Sequence, residues 1–368
     1  MTEENIDNHL RFLIEKEHRL KTDELLIRER LGSHLLCVPN KLYKYRNCSR
    51  QNFRTLKDGN IYIPCADDFK DPFDYALNFD LSQQREELAR FFFNNINQIV
   101  LTAVKGVCQK FNIRNIGLNL NMVNSIRDKY FLADGTCLID KFEEEIVNKH
   151  NRKNQLLYQK VKDLLLFYFD NNGENIYKLA EKMMQTINET SRLPRMQSLV
   201  YCMTEDKNCG PMWENYADGY TGFCIEYDFT NIDNKSFEDI KNLIYLMPVI
   251  YLNERPVFDM TPFFELATRQ YCFGEKVGRN VPLQIDLNKQ LLRKEDKYSY
   301  EQEWRFAIKN QGNNLQPFPF VSAIYMGKDI TENNIKHLKV AARKLNVPLY
   351  KQTLSYCGSK FEYYEVEL

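Results

Sequence analysis

The chain has 368 residues, 43% of them hydrophobic, enough to fill the cores of two or three structural units. Fifty Lys plus Arg balance fifty Asp plus Glu, so the basic excess expected of a dedicated nucleic-acid binder is missing. The charged N-terminus lacks the apolar stretch of a signal peptide, and apolar windows such as 164–169 are too short to span a bilayer, so a cytoplasmic protein is expected.

In chain order, residues 1–31 read as one charged helix. Ile6, Leu10, Leu13, Leu20, Ile27 and Leu31 fall at alternating spacings of four and three, with Glu17 and Glu24 in the remaining seam positions. Such a helix either folds onto its own domain or serves as a homodimer or partner contact. Residues 40–80 carry strand and turn signals: strands over 41–45 and 61–64, a turn at Asp58-Gly59 and a stop at Asp71-Pro72. Asp67, Asp68, Asp71 and Asp74 cluster in that loop, as Mg²⁺ ligands or as turn and helix-cap residues.

From 81 to 194 the texture is helical, with apolar residues such as Phe92, Ile96, Ile99 and Val100, then Leu157, Val161, Leu164 and Leu165, then Ile176, Leu179, Met183, Met184 and Ile187, and no proline before Pro194. Strand patterning returns over 198–203, and Pro211 opens a short helix that Gly219 ends. Further strands are expected over 223–227, 249–252, 304–308, 321–326, 349–353 and 361–367, with a helix over 332–345. Strands without regular βα alternation predict an α+β fold. Its organisation would be an N-terminal helix (1–38), a core of antiparallel or mixed sheet from 39–80 and 195–368, and a helical insertion (81–194). The ten cysteines are scattered without a Cys-x-x-Cys pair, as free thiols in a reducing compartment would be.

Among the residues that carry chemistry, the five histidines have no metal-ligand spacing, and no glycine-rich phosphate loop occurs. The most informative segment is 297–308. Read as a strand, it places Trp304, Phe306 and Ile308 on one face and Glu301, Glu303 and Arg305 on the other, beside Tyr298 and Tyr300. That face suits either a polar cleft or a salt-bridged surface in which Arg305 neutralises Glu303. Lys44 and Arg46 share one face of an early strand. Trp213 and Tyr216, three apart on a short helix, either pack on a sheet or stack on a ligand, and Glu226 and Asp228 are expected on an exposed strand face.

Four ordered blocks resemble the bacterial domain-of-unknown-function 2971 family: Leu42-Tyr43-Lys44-Tyr45-Arg46, Phe69-Lys70-Asp71-Pro72-Phe73-Asp74, Met212-Trp213-Glu214-Asn215-Tyr216-Ala217, and Tyr300-Glu301-Gln302-Glu303-Trp304-Arg305. Lys70 stands where that family usually has Asn. The family name implies no activity. A site of Tyr, Lys, Arg, Trp and Glu does suit one reaction, cleavage of the nicotinamide–ribose bond of NAD, in which a carboxylate stabilises an oxocarbenium-like sugar and aromatic faces hold the leaving ring.

Glu301-Gln302-Glu303 is similar to the Glu-x-Glu strand of mono-ADP-ribosyltransferases, whose second Glu is catalytic. The resemblance implies Glu303 as catalytic residue, with Glu301 and Arg305 beside it. Lys44 and Arg46 stand where that superfamily has its first-strand Arg or His, and Tyr45, Trp213, Tyr216, Tyr227 and Tyr300 would bind substrate. The Ser-Thr-Ser segment of Arg-type members is absent, and Tyr216, Tyr220 or Tyr227 would replace it. The expectation is an NAD-consuming enzyme, in the setting of antiphage defence or a toxin. A non-catalytic nucleotide or partner sensor is the alternative, and a nuclease built on the acidic loop comes third.

Overall fold

The alternating segments at 223–227 and 321–326 become neighbouring strands in the middle of an eight-stranded mixed sheet. The computed structural model describes the chain apart from residues 111–118, 131–137, 148–151, 169–176, 179, 182–184, 186–192, 268, 271–275, 277, 356 and 358–359. Its strands are β1 (Lys41–Arg46), β2 (Asn60–Tyr62), β3 (Ser198–Thr204), β4 (Phe223–Asp228), β5 (Met247–Pro248) and β6 (Ile250–Leu252), then β7 (Arg293–Glu295), β8 (Glu303–Lys309), β9 (Leu315–Pro317), β10 (Val321–Met326), β11 (Leu349–Ser355) and β12 (Lys360–Glu365). The main sheet runs β12-β11-β10-β4-β1-β3-β8-β5, with β2-β9 and β6-β7 as separate two-stranded pairs. Within the main sheet β10 and β11 are parallel, joined through the helix Glu332–Leu345, and the other pairs are antiparallel. The fold is α+β, as its patterning predicts.

Helix Glu332–Leu345 has the bounds its sequence predicts, because both ends are marked. The Thr331 hydroxyl accepts from the Asn334 amide, and Asn346 closes the helix in the left-handed region at φ 56°. Ile335, Leu338, Ala341 and Ala342 form its buried stripe, against a core that also holds Leu42, Tyr201, Ile225, Tyr227, Phe306, Ile324 and Met326. Two glycines are required by close approach. A Cβ on Gly222 would stand 2.3 Å from the Arg46 carbonyl oxygen, and one on Gly327 would stand 2.0 Å from that of Tyr220.

The single N-terminal helix is corrected to two, Glu3–Lys16 and Glu24–Leu35. Asp23 supplies the break: its carboxylate accepts from the Leu26 amide and starts the second helix. The heptad seam is spent inside the chain, since Leu20, Ile27 and Leu31 lie in the sheet's core, and Ile6 and Leu10 are also buried. Its buried residues thus pack within their own chain, as the first of the two expectations has it.

By contact density the chain divides into two compact units. One comprises Met1–Asn78, Arg192–Pro256 and Gln284–Leu368, and the other Phe79–Ser191 with Val257–Leu283. The second excursion, 257–283, therefore goes with the helical unit, whereas the sequence reading placed it in the core. The helical unit has its own core, including Ile96, Val100, Val123, Ile126, Phe142, Val161 and Leu165. The apolar positions Ile176, Leu179, Met183, Met184 and Ile187 lie outside the described residues. The seven cysteines with described side chains are free thiols.

Candidate active site: a lysine held by three carboxylates

The site starts from a departure in local structure. Residues Asp296–Glu301 form a 3₁₀ helix, and Gln302 turns through the left-handed region at φ 40° before β8 begins at Glu303. Glu301 is thus not on the strand face expected for it. The turn still folds its carboxylate back to meet that of Glu303 around one cation, which the sequence did not single out. Lys294 Nζ donates to Glu301 Oε2 at 2.5 Å and to Glu303 Oε2 at 3.2 Å, and lies 3.5 Å from Asp74 Oδ2. On the other side, Arg305 Nε donates to Glu303 Oε1 at 2.9 Å and its Nη1 to Asp74 Oδ1 at 3.1 Å.

Asp74 reaches this cluster because its loop is built around guanidinium groups. Buried Arg195 donates to the carbonyls of Asp71, Pro72 and Asp74, while Arg255 donates to those of Phe73 and Ala76. Asp71 accepts from the Phe73 amide as a turn residue, and Asp67 pairs with Arg195 at 3.6 Å. Of the acids offered to Mg²⁺, Asp67, Asp71 and Asp74 are therefore committed to turn chemistry or to cations, and Asp68 is exposed. Among the described residues, no group of three or more His, Cys, Asp or Glu is arranged to hold a metal ion.

Two cations face three carboxylates, and the two glutamates respond differently. Burial alone would raise the Glu303 carboxyl, but Arg305 and Lys294 outweigh it and hold it at about 2. At Glu301 burial prevails over the pull of Lys294, and the negative charge of Glu303 adds to it, so this carboxyl is raised. Burial works against charge at Lys294, yet Glu303, Asp74 and Glu301 together push its ammonium up. Glu303 is 6% exposed and Arg305 1%. The Glu303 amide donates to Tyr251 Oη at 2.9 Å, which fixes the strand's first residue.

Cross-strand register decides which expected residues join this cluster. Ala323, Glu226, Tyr43, Thr204 and Glu303 pair successively across β10, β4, β1, β3 and β8, so their side chains share one face. Tyr43 and Tyr45 therefore stand on the face of Glu303, and Lys44 and Arg46 on the other. Lys44 Nζ donates to the Cys202 carbonyl at 2.6 Å and lies 5.1 Å from the Tyr201 ring centroid. Arg46 donates to the Tyr62 carbonyl and also covers Tyr201. Burial, then the charge of Arg46, lowers the Lys44 ammonium to about 8.

The aromatic candidates separate in the same way. Trp213 is wholly buried, with Tyr45 edge-on and Tyr220 stacked, and Tyr227 is enclosed on the opposite face with its hydroxyl 2.8 Å from that of Tyr201. These rings pack the core. Tyr216 and Tyr300 do reach the surface, at 45% and 37% exposure, and the Tyr216 hydroxyl donates to Glu301 Oε1 at 3.1 Å. Glu226, expected on an exposed face, is instead 3% exposed and accepts from Lys41, Ser322 and Tyr325. Lys70 is exposed.

A cavity of 550 Å³ lies in the helical unit, lined by Arg90, Asn94, Asn95, Glu265 and Arg269 among others. Its chemistry is of another kind. Glu87 accepts from Thr261 of a neighbouring helix, Asp259 caps the Thr261 amide and Asn95 donates to the Phe91 carbonyl, so these polar groups hold the helices that line it.

The described site thus defines an α+β protein with an enclosed cluster of acids and cations at the head of β8, one strand in from the sheet's edge. Residues 212–306 match the family model described as a protein of unknown function, DUF2971. The match takes in the Met212–Ala217 and Tyr300–Arg305 blocks and about a quarter of the chain, from which the blocks at Leu42 and Phe69 are excluded. No curated protein and no solved structure matches the chain.

Proposed function

We propose that this protein is an NAD-consuming enzyme of the ADP-ribosyltransferase kind, cleaving the nicotinamide–ribose bond at the Glu301–Glu303 cluster. The observation that carries the reading is the opposed shifts of two neighbouring carboxyls, Glu303 held well below and Glu301 raised above the usual glutamate value, on one shared ammonium. Environments that push paired acids apart assign them different tasks. As nicotinamide leaves with the bonding electron pair, positive charge develops at the ribose C1′, and an ionised Glu303 stabilises it. The acceptor or water then adds to C1′ and gives up a proton, for which Glu301 is the stronger base of the two. Tyr216 and Tyr300 offer exposed ring faces beside Glu301. The cytoplasm, where NAD is plentiful, is the compartment the reading requires, and antiphage defence or toxicity is the setting proposed for it.

A second reading rests on a separate observation: both oxygens of Glu303 are taken by cations in an enclosed site. A nucleotide- or partner-sensing protein without turnover tolerates that closure, whereas catalysis requires those pairs to part. Nicotinamide release from NAD, with and without cell lysate, separates the two. The enzyme reading expects release by the wild type and a fall of roughly 10²–10³ or more in Glu303→Gln at matched thermal stability. Wild type that binds NAD without releasing nicotinamide is a sensor. Full activity in Glu303→Gln would move the chemistry elsewhere.

A further inference from the structure

With Lys44 and Arg46 turned to the opposite face, the face of Glu303 needs another cation for a nucleotide's phosphates. Lys207, in the loop between β3 and the helix Gly210–Tyr216, occupies that place. Its backbone is pinned: Trp213 Nε1 and Tyr363 Oη donate to the Lys207 carbonyl at 2.9 and 3.1 Å, and Tyr45 Oη donates to that of Asp206 at 2.8 Å. Its Nζ stands 4.9 Å from the ring centroid of Tyr325, 5.5 Å from Tyr363 and 6.0 Å from Tyr43. Three ring faces fix an ammonium by cation–π attraction but accept few of its hydrogen bonds.

Among the described residues, this half-buried ammonium has no hydrogen bond to a side chain or carbonyl and no ion pair. The neighbouring acids are engaged elsewhere, Glu226 by Lys41, Ser322 and Tyr325, and Asp206 by the Asn208 amide. Beside the cage, Gln352 is 2% exposed and donates to Tyr363 Oη, while its Oε1 lacks a hydrogen-bond partner among the described residues. A positioned cation with unused donors and an enclosed acceptor with none are the two halves of a site for a phosphate bearing a sugar hydroxyl.

We infer that Lys207 is the phosphate anchor of the substrate site, holding the diphosphate of a dinucleotide over the tyrosine cage. The inference rests on the nucleotide reading above. Tyr43, in the cage wall, and Glu303 are two strands apart in one row, roughly 10 Å at the usual strand spacing, so one dinucleotide can engage both.

The test is ADP-ribose binding by titration calorimetry to wild type, Lys207→Met and Lys207→Arg, with adenosine and inorganic phosphate as separate probes. Lys207→Met keeps the stem in the cage and removes the charge, and thermal unfolding checks that it folds. The expected result is ADP-ribose affinity lowered roughly 10- to 100-fold in Lys207→Met, largely kept in Lys207→Arg, with adenosine unaffected. Tight phosphate binding that Lys207→Met abolishes supports the anchor too. Unchanged ADP-ribose binding in Lys207→Met, or none in the wild type, overturns it. If the wild type releases no nicotinamide yet Lys207→Met loses ADP-ribose, the anchor stands and the enzyme reading falls. If release persists with unchanged KM in Lys207→Met, the anchor falls and the enzyme reading stands.

Discussion

Glu226 on β4 and Glu303 on β8 lie in the same cross-strand row, and each is almost wholly enclosed, at 3% and 6% exposure. Their partners differ. Glu226 is held by the hydroxyls of Ser322 and Tyr325 and by Lys41, whose side chain is 47% exposed. Glu303 is held by Arg305 and Lys294, at 1% and 8% exposure. Burial would raise the Glu226 carboxyl, but Lys41, Tyr325 and Ser322 lower it on balance, so both glutamates are kept ionised. What differs is the state of the counterion once the carboxylate is gone. Lys41 can turn to water, whereas Arg305 and Lys294 stay enclosed.

The sharpest way to break this contrast is Arg305→Met, which leaves Glu303 and Asp74 short of a cation in a closed interior. A loss of ~3–5 kcal/mol in denaturant unfolding is expected, and a loss under ~1 kcal/mol would show that water already reaches the cluster. Acid titration sharpens it next, once another acid-sensitive site is set aside. His9 and His34 stack with ring centroids 3.8 Å apart, and their Nε2 atoms meet the carbonyls of Ile244 and Leu246 at 2.7 and 2.8 Å. Burial lowers both, to about 4 and about 3, with Arg30 adding to it at each and His9 to it at His34.

Neutral imidazoles in the folded state against an ordinary value near 6.5 in the unfolded chain mean that their stability is full above 6.5 and declines as pH falls toward 4. In a His9→Gln/His34→Gln background that decline should flatten, leaving the Glu303 contribution to be lost as pH falls from the ordinary glutamate range toward about 2. Thermal midpoints measured from pH 7 to 3 check both signs, and an unchanged slope in the double variant would remove the histidines from the account. The smallest effect is expected for Glu226→Gln, ~1–2 kcal/mol, because Lys41 rehydrates. A cost equal to that of Arg305→Met would erase the distinction.

Legibility followed how local each cause is. The helix Glu332–Leu345 and strand Val321–Met326 could be read because the helix's caps and periodicity and the strand's short apolar run all lie within the segment. Period-2 reasoning also grouped Lys44 with Arg46 and Glu303 with Arg305, but which face each group takes is set by the Tyr43–Thr204–Glu303 register, a pairing of strands far apart in sequence. Glu301 was misplaced because Gln302, a residue that rarely adopts positive φ, carries no turn signal. Lys294 sits in a three-residue strand with no apolar alternation, and Asp74 in a loop whose Asp-Pro spacing reads as a turn. Both become site residues only through tertiary pairing, as does Lys207, whose cage is assembled from β1, β10 and β12.

The union of β1 and β3 rests on one register pair, Tyr43 with Thr204. Beyond it the ladder opens, and the Cys202 carbonyl receives the Lys44 ammonium in place of a strand amide. By backbone pairing the sheet is therefore two ribbons, β12-β11-β10-β4-β1 and β3-β8-β5, buttoned at a single point and laced by side chains. Glu303 lies in the row of that button, on the narrower ribbon. Unfastening it would leave each ribbon's own ladder whole, and what would have to part is side-chain contact: Lys44 from the Cys202 carbonyl, Arg46 and the Tyr227 hydroxyl from Tyr201, and the Tyr45 hydroxyl from the Asp206 carbonyl.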